Sequence, residues 1–156
     1  MKKLIKTIDF EYHFIPEHKG APFTFDCIHF MNAGDFKETA FKKVFGYGDR
    51  KDANTPFDKG SDIPELNASI KSGKATLTSV NLGNNFDEVK HNYFERVHSI
   101  AWIYVTIIDN SLVAYIMNKT EFSSFMDTFG NYCNDRHVIR FKADSGKMIK
   151  WFEDRL

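Results

Sequence analysis

The stretch Ile100-Ala101-Trp102-Ile103-Tyr104-Val105-Thr106-Ile107-Ile108 most constrains what this chain can fold into. Its apolar residues follow one another without alternation, so an extended segment here has two faces to bury, as a central strand does. A membrane span needs about 20 apolar residues, and this run ends after nine and contains Thr106. Asp109-Asn110-Ser111 reads as a turn and Leu112 to Met117 as the partner strand. So short a connection between two strands predicts a hairpin. The 156 residues are enough for one domain, 1–156, with a core of its own. Hydrophobic content is ordinary at 42%, but 16 residues are Phe, and each aromatic ring buries a large area.

The flanking chain supplies further elements. Residues 1–30 read as extended, with Leu4, Ile5, Ile8, Phe10, Tyr12 and Phe14 leading to a turn near Pro16 to Gly20. Phe23, Phe25 and Cys27 then alternate, which predicts two strands arranged as a hairpin. A helix is expected over 35–45, with Asp35 as N-cap, an apolar stripe of Phe36, Ala40, Phe41, Val44 and Phe45, and Gly46 as its stop. Residues 46–61 read as an exposed loop whose Tyr47, Arg50, Lys51 and Lys59 are within the reach of phosphates. Ala68, Ile70, Ala75 and Leu77 alternate with Ser69, Lys71, Thr76 and Thr78, the pattern of a strand with Gly73 as a bulge. Pro64 breaks this strand from Asp62.

Phe86, Val89, Tyr93, Phe94 and Val97 recur at helical spacing over 86–98. Asn118 is placed to cap a helix over 119–129 with the stripe Phe122, Phe125, Met126 and Phe129, ended by Gly130. A strand at 137–142, a turn at Asp144-Ser145-Gly146 and a short helix with Met148, Ile149, Trp151 and Phe152 complete the chain.

Charge and motif content narrow the chemistry. Lys plus Arg and Asp plus Glu are 21 each, so a nucleic-acid partner must use a local patch. The most basic region holds Arg136, Arg140, Lys142, Lys147 and Lys150. Cys27 and Cys133 lie outside any zinc spacing and read as free thiols of a reducing, cytoplasmic setting, with a disulfide between them left open. Met1 to Lys6 is followed by Thr7, Asp9 and Glu11, so no signal-peptide core develops. His13, His18 and His29 form no helix-spaced metal pair. Phosphate-loop, dinucleotide, zincin and nucleophile-elbow motifs are missing from the sequence.

What remains is a carboxylate followed by a lysine. A hard divalent cation takes carboxylate oxygens, and Mg²⁺ uses one or two of them with substrate phosphate and water. A lysine beside it can stabilise the charged phosphate or act on the attacking water. Asp62 and Lys71 supply both parts. Asp62 also reads as a turn residue, and Lys71 as a solvated edge lysine.

Asp62, followed by Ser69-Ile70-Lys71, resembles the motif of the PD-(D/E)XK nuclease superfamily, with Ser69 where a second acid is usual. The order helix, motif strand, helix, strand, strand, helix over about 35–129 also resembles its core. The resemblance implies an α/β, restriction-endonuclease-like fold: a mixed central sheet flanked by helices, here with extra N-terminal strands and a C-terminal strand-helix unit. It implies a Mg²⁺- or Mn²⁺-dependent DNA endonuclease, with Asp62 on the metal and Lys71 at the phosphate or water. The missing acid would come from Glu65, or from Asp87 and Glu88 on the following helix. The partly positive helix end disfavours a cation, which puts Glu65 ahead of Glu88. Glu38 is the next candidate, from the helix before the motif, though Asp35 and Glu38 also have capping-box spacing.

Ser69 is neutral and at most orients a metal-bound water. Arg140, Lys142, Lys74 and Lys147 are the candidate phosphate contacts. DNA is the expected partner, with no membrane and with homodimerisation open. The alternatives are a non-catalytic nucleic-acid-binding or protein-interaction module on the same fold, and an RNA-directed or toxin nuclease.

Overall fold

Ala101–Ile108 forms an inner strand of a four-stranded mixed sheet. The structure, a computed structural model, describes residues 1–9, 11–14, 27–30, 33–47, 62–72, 77, 80–142 and 145–156, with the backbone alone at 11–14, 27–30, 33–36 and 145. In chain order the elements are β1 (Lys2–Thr7), β2 (Glu11–Phe14), β3 (Cys27–Phe30), α1 (Ala33–Val44), β4 (Ala68–Lys71), α2 (Phe86–Arg96), β5 (Ala101–Ile108), β6 (Ser111–Met117), α3 (Lys119–Phe129), β7 (Gly130–Cys133), β8 (Val138–Phe141) and α4 (Ser145–Glu153). The sheet order is β1-β6-β5-β4. β6 is antiparallel to both β1 and β5, and β4 runs parallel to β5.

The expected hairpin is present, from Trp102↔Met117 to Ile108↔Ser111. Its two-residue loop, Asp109 and Asn110, has φ of 47° and 58°. A two-residue turn with both central residues left-handed matches the twist of the flanking strands.

Strand alternation then divides the core into two layers. Trp102, Tyr104, Val113, Tyr115 and Met117 join Val89 and Tyr93 of α2, Phe122, Phe125 and Met126 of α3, and Phe152 of α4. Ile103, Val105, Leu112 and Ala114 pack with Ala68, Ile70 and the α1 residues Ala40 and Phe41 on the other face. Much of the Phe content stacks on the sheet aromatics: Trp102 on Phe122 with ring centroids 4.8 Å apart, and Tyr115 on Phe152 at 4.5 Å.

Local signals hold the helices in place. Asn118 caps α3 with a full capping box, its Oδ1 accepting from Glu121 N–H at 2.9 Å while Glu121 Oε2 accepts from Asn118 N–H. Asn85 Oδ1 caps α2 by accepting from Glu88 N–H at 2.9 Å. No helix among the described residues is long and apolar enough to cross a membrane. Cys133 is a half-buried free thiol.

Four expectations are corrected. β1 is not an addition to the core but an edge of the central sheet, paired with β6 from Lys2↔Ile116 to Thr7↔Ser111. β2 and β3 pair parallel, so they are not a hairpin. α1 begins at Ala33, which puts Asp35 inside its first turn and removes it as the N-cap. Gly130-Asn131-Tyr132-Cys133 forms β7, antiparallel to β8, where the sequence pattern announced no strand. The turn near Pro16 to Gly20, Arg50, Lys51 and Lys59, the Gly73 bulge, Lys74, Thr76, Thr78, Asp144 and the side chain of Cys27 lie outside the described residues.

Gly130 ends α3 for a reason other than backbone freedom. Its φ is −79°, open to any residue. A Cβ there would lie 2.5 Å from the Met126 carbonyl oxygen and 3.0 Å from Ile139 Cγ2. Since the first clash is with backbone, rotamer changes do not relieve it. Gly130→Ala is expected to destabilise the protein by about 1–3 kcal/mol, measured as a lower denaturant midpoint. An unchanged midpoint would show that the α3–β7 junction opens at no cost.

Candidate active site around Lys71

Asp62 reaches the sheet through a short reversal of the chain. Pro64–Leu66 form a single 3₁₀ turn, and Asn67 follows in the left-handed conformation with φ of 47°. Pro64 sits at the start of the turn, where its missing N–H is not needed. Ile63 and Ala68 then exchange backbone hydrogen bonds, Ile63 N–H to Ala68 O at 3.0 Å and Ala68 N–H to Ile63 O at 3.2 Å. This folds Asp62 back along β4, the sheet edge, where its Oδ2 accepts the Ile70 N–H at 2.7 Å. The carboxylate thereby satisfies a backbone donor that an edge strand leaves open. A hydrogen bond to a charged group contributes about 1.5–3 kcal/mol, so Asp62 has a structural task whatever its chemistry.

Ser69 and Lys71 share one face of β4, with Trp102 and Tyr104 of β5 as their register partners. Lys71 Nζ donates to Leu77 O at 3.3 Å. The side chain is half-buried, with its ammonium end enclosed. Burial pushes the Lys71 pKa below its ordinary 10.5, and the carboxylates of Asp62 and Glu38 pull against that shift without cancelling it. Glu38 thus acts on the same ammonium as Asp62, although it comes from α1. It also pairs with Lys42 Nζ at 3.2 Å, one helical turn on. Because Asp35 lies within the helix, the capping-box account of Glu38 no longer applies.

Two further residues belong to this neighbourhood, and sequence reasoning missed both roles. Ser99 is buried between α2 and β5, and its Oγ lies 2.8 Å from Ser69 Oγ. Tyr93, read only as part of a helical stripe, accepts from Trp102 Nε1 at 2.8 Å. Burial raises the Tyr93 hydroxyl pKa, the Trp102 bond opposes this, and Asp62 adds a smaller upward push. Nothing in the sequence marks Ser99, since a lone serine after a helix has no distinguishing pattern.

The other candidates are surface residues. Glu65 is exposed on the 3₁₀ turn that follows Asp62. Asp87 and Glu88 are exposed in the first turn of α2, and Glu88 Oε2 accepts from Asn85 Nδ2 at 3.4 Å. They complement the helix end. Arg140 is half-buried on β8, Lys142 follows it exposed, and Lys147 is exposed on α4. Leu77 connects this region to the motif: its carbonyl accepts from Lys71, and its N–H donates to Ile139 O at 2.9 Å.

Among the described residues no three His, Cys, Asp or Glu side chains converge as a metal cluster. Mg²⁺ requires only one or two protein carboxylates. Asp62 alone meets that minimum, with Oδ1 as the oxygen opposite the one that Ile70 engages. No protein-family model, curated protein or solved structure matches the chain.

The lowered Lys71 pKa has a consequence for stability. In the unfolded chain the lysine holds its proton up to about 10.5, whereas in the fold it releases it earlier. Between the two values the unfolded state binds more protons, so stability rises with pH in that window. The penalty is full below the folded pKa and fades above it. Lys71→Met is expected to lack this rise and to gain on the wild type at neutral pH. Denaturant midpoints of both proteins, compared as the pH is raised to 10.5, test this; parallel curves would refute it.

Proposed function

We propose that the chain is a Mg²⁺-dependent DNA endonuclease on a restriction-endonuclease-like fold. The observation that carries this reading is the 2.7 Å bond that ties the Asp62 carboxylate to β4 between Ser69 and Lys71, with the charges of Asp62 and Glu38 opposing the effect of burial on the Lys71 ammonium. The order α1, β4, α2, β5, β6, α3 supports it, since the superfamily that the motif resembles has this order.

Each residue then has a definite task. Asp62, fixed in place by the Ile70 N–H, would hold the cation, and Glu38 would supply the second carboxylate. When bound, the cation polarises the phosphodiester and lowers the pKa of the attacking water. Lys71 faces the same charges; when protonated it stabilises the phosphate oxygens, and its lowered pKa brings proton exchange with water closer to neutral pH. Arg140 and Lys142, reached from the motif through Leu77 and Ile139, bind the phosphates on either side.

A second reading has its own observation. Ser69, in the position of the usual second acid, is bonded to Ser99 and brings no charge. That favours a non-catalytic nucleic-acid-binding or protein-interaction module, in which Asp62 serves only as the edge partner of Ile70.

Cleavage of supercoiled plasmid with Mg²⁺ and with EDTA separates the two readings. Asp62→Asn keeps an oxygen for the Ile70 N–H and is expected to lower cleavage by about 10²–10³-fold, as is Lys71→Met, with both proteins still folded. Full activity in both variants would refute the assignment. For binding, each phosphate contact contributes about 0.9 to the logarithmic salt slope. Arg140→Ala combined with Lys142→Ala is expected to reduce that slope by about 2; an unchanged slope would return both residues to a solvated surface.

A further inference from the structure

We infer that Asn67 is the positioning residue for the Asp62 carboxylate: its left-handed backbone sets the register in which the chain returns along β4, and so brings Asp62 to the Ile70 N–H. The consequence for cleavage rests on the endonuclease reading; the placement of the carboxylate does not. Pro64, Glu65, Leu66 and Asn67 form a loop between Ile63 and Ala68, which face each other as an antiparallel bridge. Leu66 N–H donates to Ile63 O and Asn67 N–H to Pro64 O, both at 3.1 Å, and these bonds close the 3₁₀ turn. Asn67, with φ of 47° and ψ of 49°, then turns the chain back into the extended course of β4. Asp109, Asn110 and His137, the other left-handed non-glycine residues among those described, lie in the loops that join β5 to β6 and β7 to β8. In such loops the turn fixes the register of the two arms.

Asn67 is held on both sides. Its N–H points into the turn, and its carbonyl accepts from Ile100 N–H, just before β5, at 2.8 Å. The next donors along β4 face the returning segment: Ala68 N–H meets Ile63 O at 3.2 Å, and Ile70 N–H meets Asp62 Oδ2 at 2.7 Å. In an antiparallel pair that simply continued, Ile70 N–H would meet a backbone carbonyl. Here a side-chain carboxylate takes that place. A slip of one residue in this register would turn the Asp62 side chain to the other face.

A left-handed φ is routine for glycine and open to Asn or Asp, but strained for other residues. Asn67 is half-buried, so losing its side chain empties no core site. Asn67→Ala and Asn67→Gly both remove that side chain, and only the first strains the backbone. Comparing them isolates the conformation.

The test is a cycle of substitutions read at one amide. Hydrogen exchange and the proton shift of Ile70 N–H are measured in the isotope-labelled full chain, with the amides of the inner strand β6 as the gauge of global stability. Asp62→Ala in the wild type is expected to speed Ile70 exchange about tenfold or more relative to β6 and to move its shift upfield. In Asn67→Ala the Ile70 amide is expected to have made both changes already, so that adding Asp62→Ala does little. In Asn67→Gly the full effect of Asp62→Ala is expected to return. An Asn67→Ala protein whose Ile70 amide still responds fully to Asp62→Ala would overturn the inference. So would an Asn67→Gly protein that has lost the response, and this second result decides the matter even where Asn67→Ala does not fold. In plasmid cleavage with Mg²⁺, Asn67→Ala is expected to lower kcat by about 10²-fold with little change in KM, and Asn67→Gly to restore it. Absence of cleavage by the wild type would refute the endonuclease reading, and the Ile70 amide would still decide the role of Asn67.

Discussion

The rest of this structure depends on burying both faces of β5. Trp102 and Tyr104 point to one side, Ile103 and Val105 to the other, and all four are almost completely excluded from water. A strand of this kind is stable only with an apolar layer on each side. α2, α3 and α4 supply one layer and α1 the other. At about 25 cal/mol per Å² of apolar surface removed from water, such side chains dominate the favourable energy. Since β6 is tied to β5 by a two-residue loop, only one edge of β5 stays open, and β4 takes it.

That arrangement places Asp62 and Lys71 at the edge of the sheet. β4 has β5 on one side and the returning Asp62–Ile63 segment on the other. Its polar face meets the aromatic layer, so Lys71 has an enclosed ammonium beside Tyr104 in the register. Burial and nearby carboxylates then act in opposite directions. Burial is the larger influence, and it leaves the ammonium easier to deprotonate despite Asp62 and Glu38. A lysine on a solvated edge would show no such competition.

Asp62 has an observed structural task. Oδ2 pairs with the Ile70 N–H and holds the reversed segment against β4. The same bond fixes the direction of the carboxylate, as the proposed role of Asp62 requires. Glu38 is positioned differently, by a helix whose Ala40 and Phe41 are buried against the sheet and by its pair with Lys42. The two acids therefore derive their positions from different parts of the core.

By itself the sequence determined the elements whose signals are local. The unbroken apolar run at 100–108, with Asp109-Asn110 after it, is enough for β5 and the hairpin, and the Asn118–Glu121 spacing is enough for the start of α3. Asp62 and Lys71 were visible as an acid and a lysine separated by a strand-like pattern. Tertiary structure decided the rest. It carried α1 back to Ala33 despite the capping signal at Asp35, and it paired β1 with β6, more than a hundred residues away. It brought Ser99 to Ser69 across 30 residues and let the charge of Glu38 act on Lys71 from a helix rather than serve in a cap. The physical reason is range. Periodicity, capping and turn chemistry act over a few neighbouring residues, whereas desolvation and charge depend on which distant segments the core brings together.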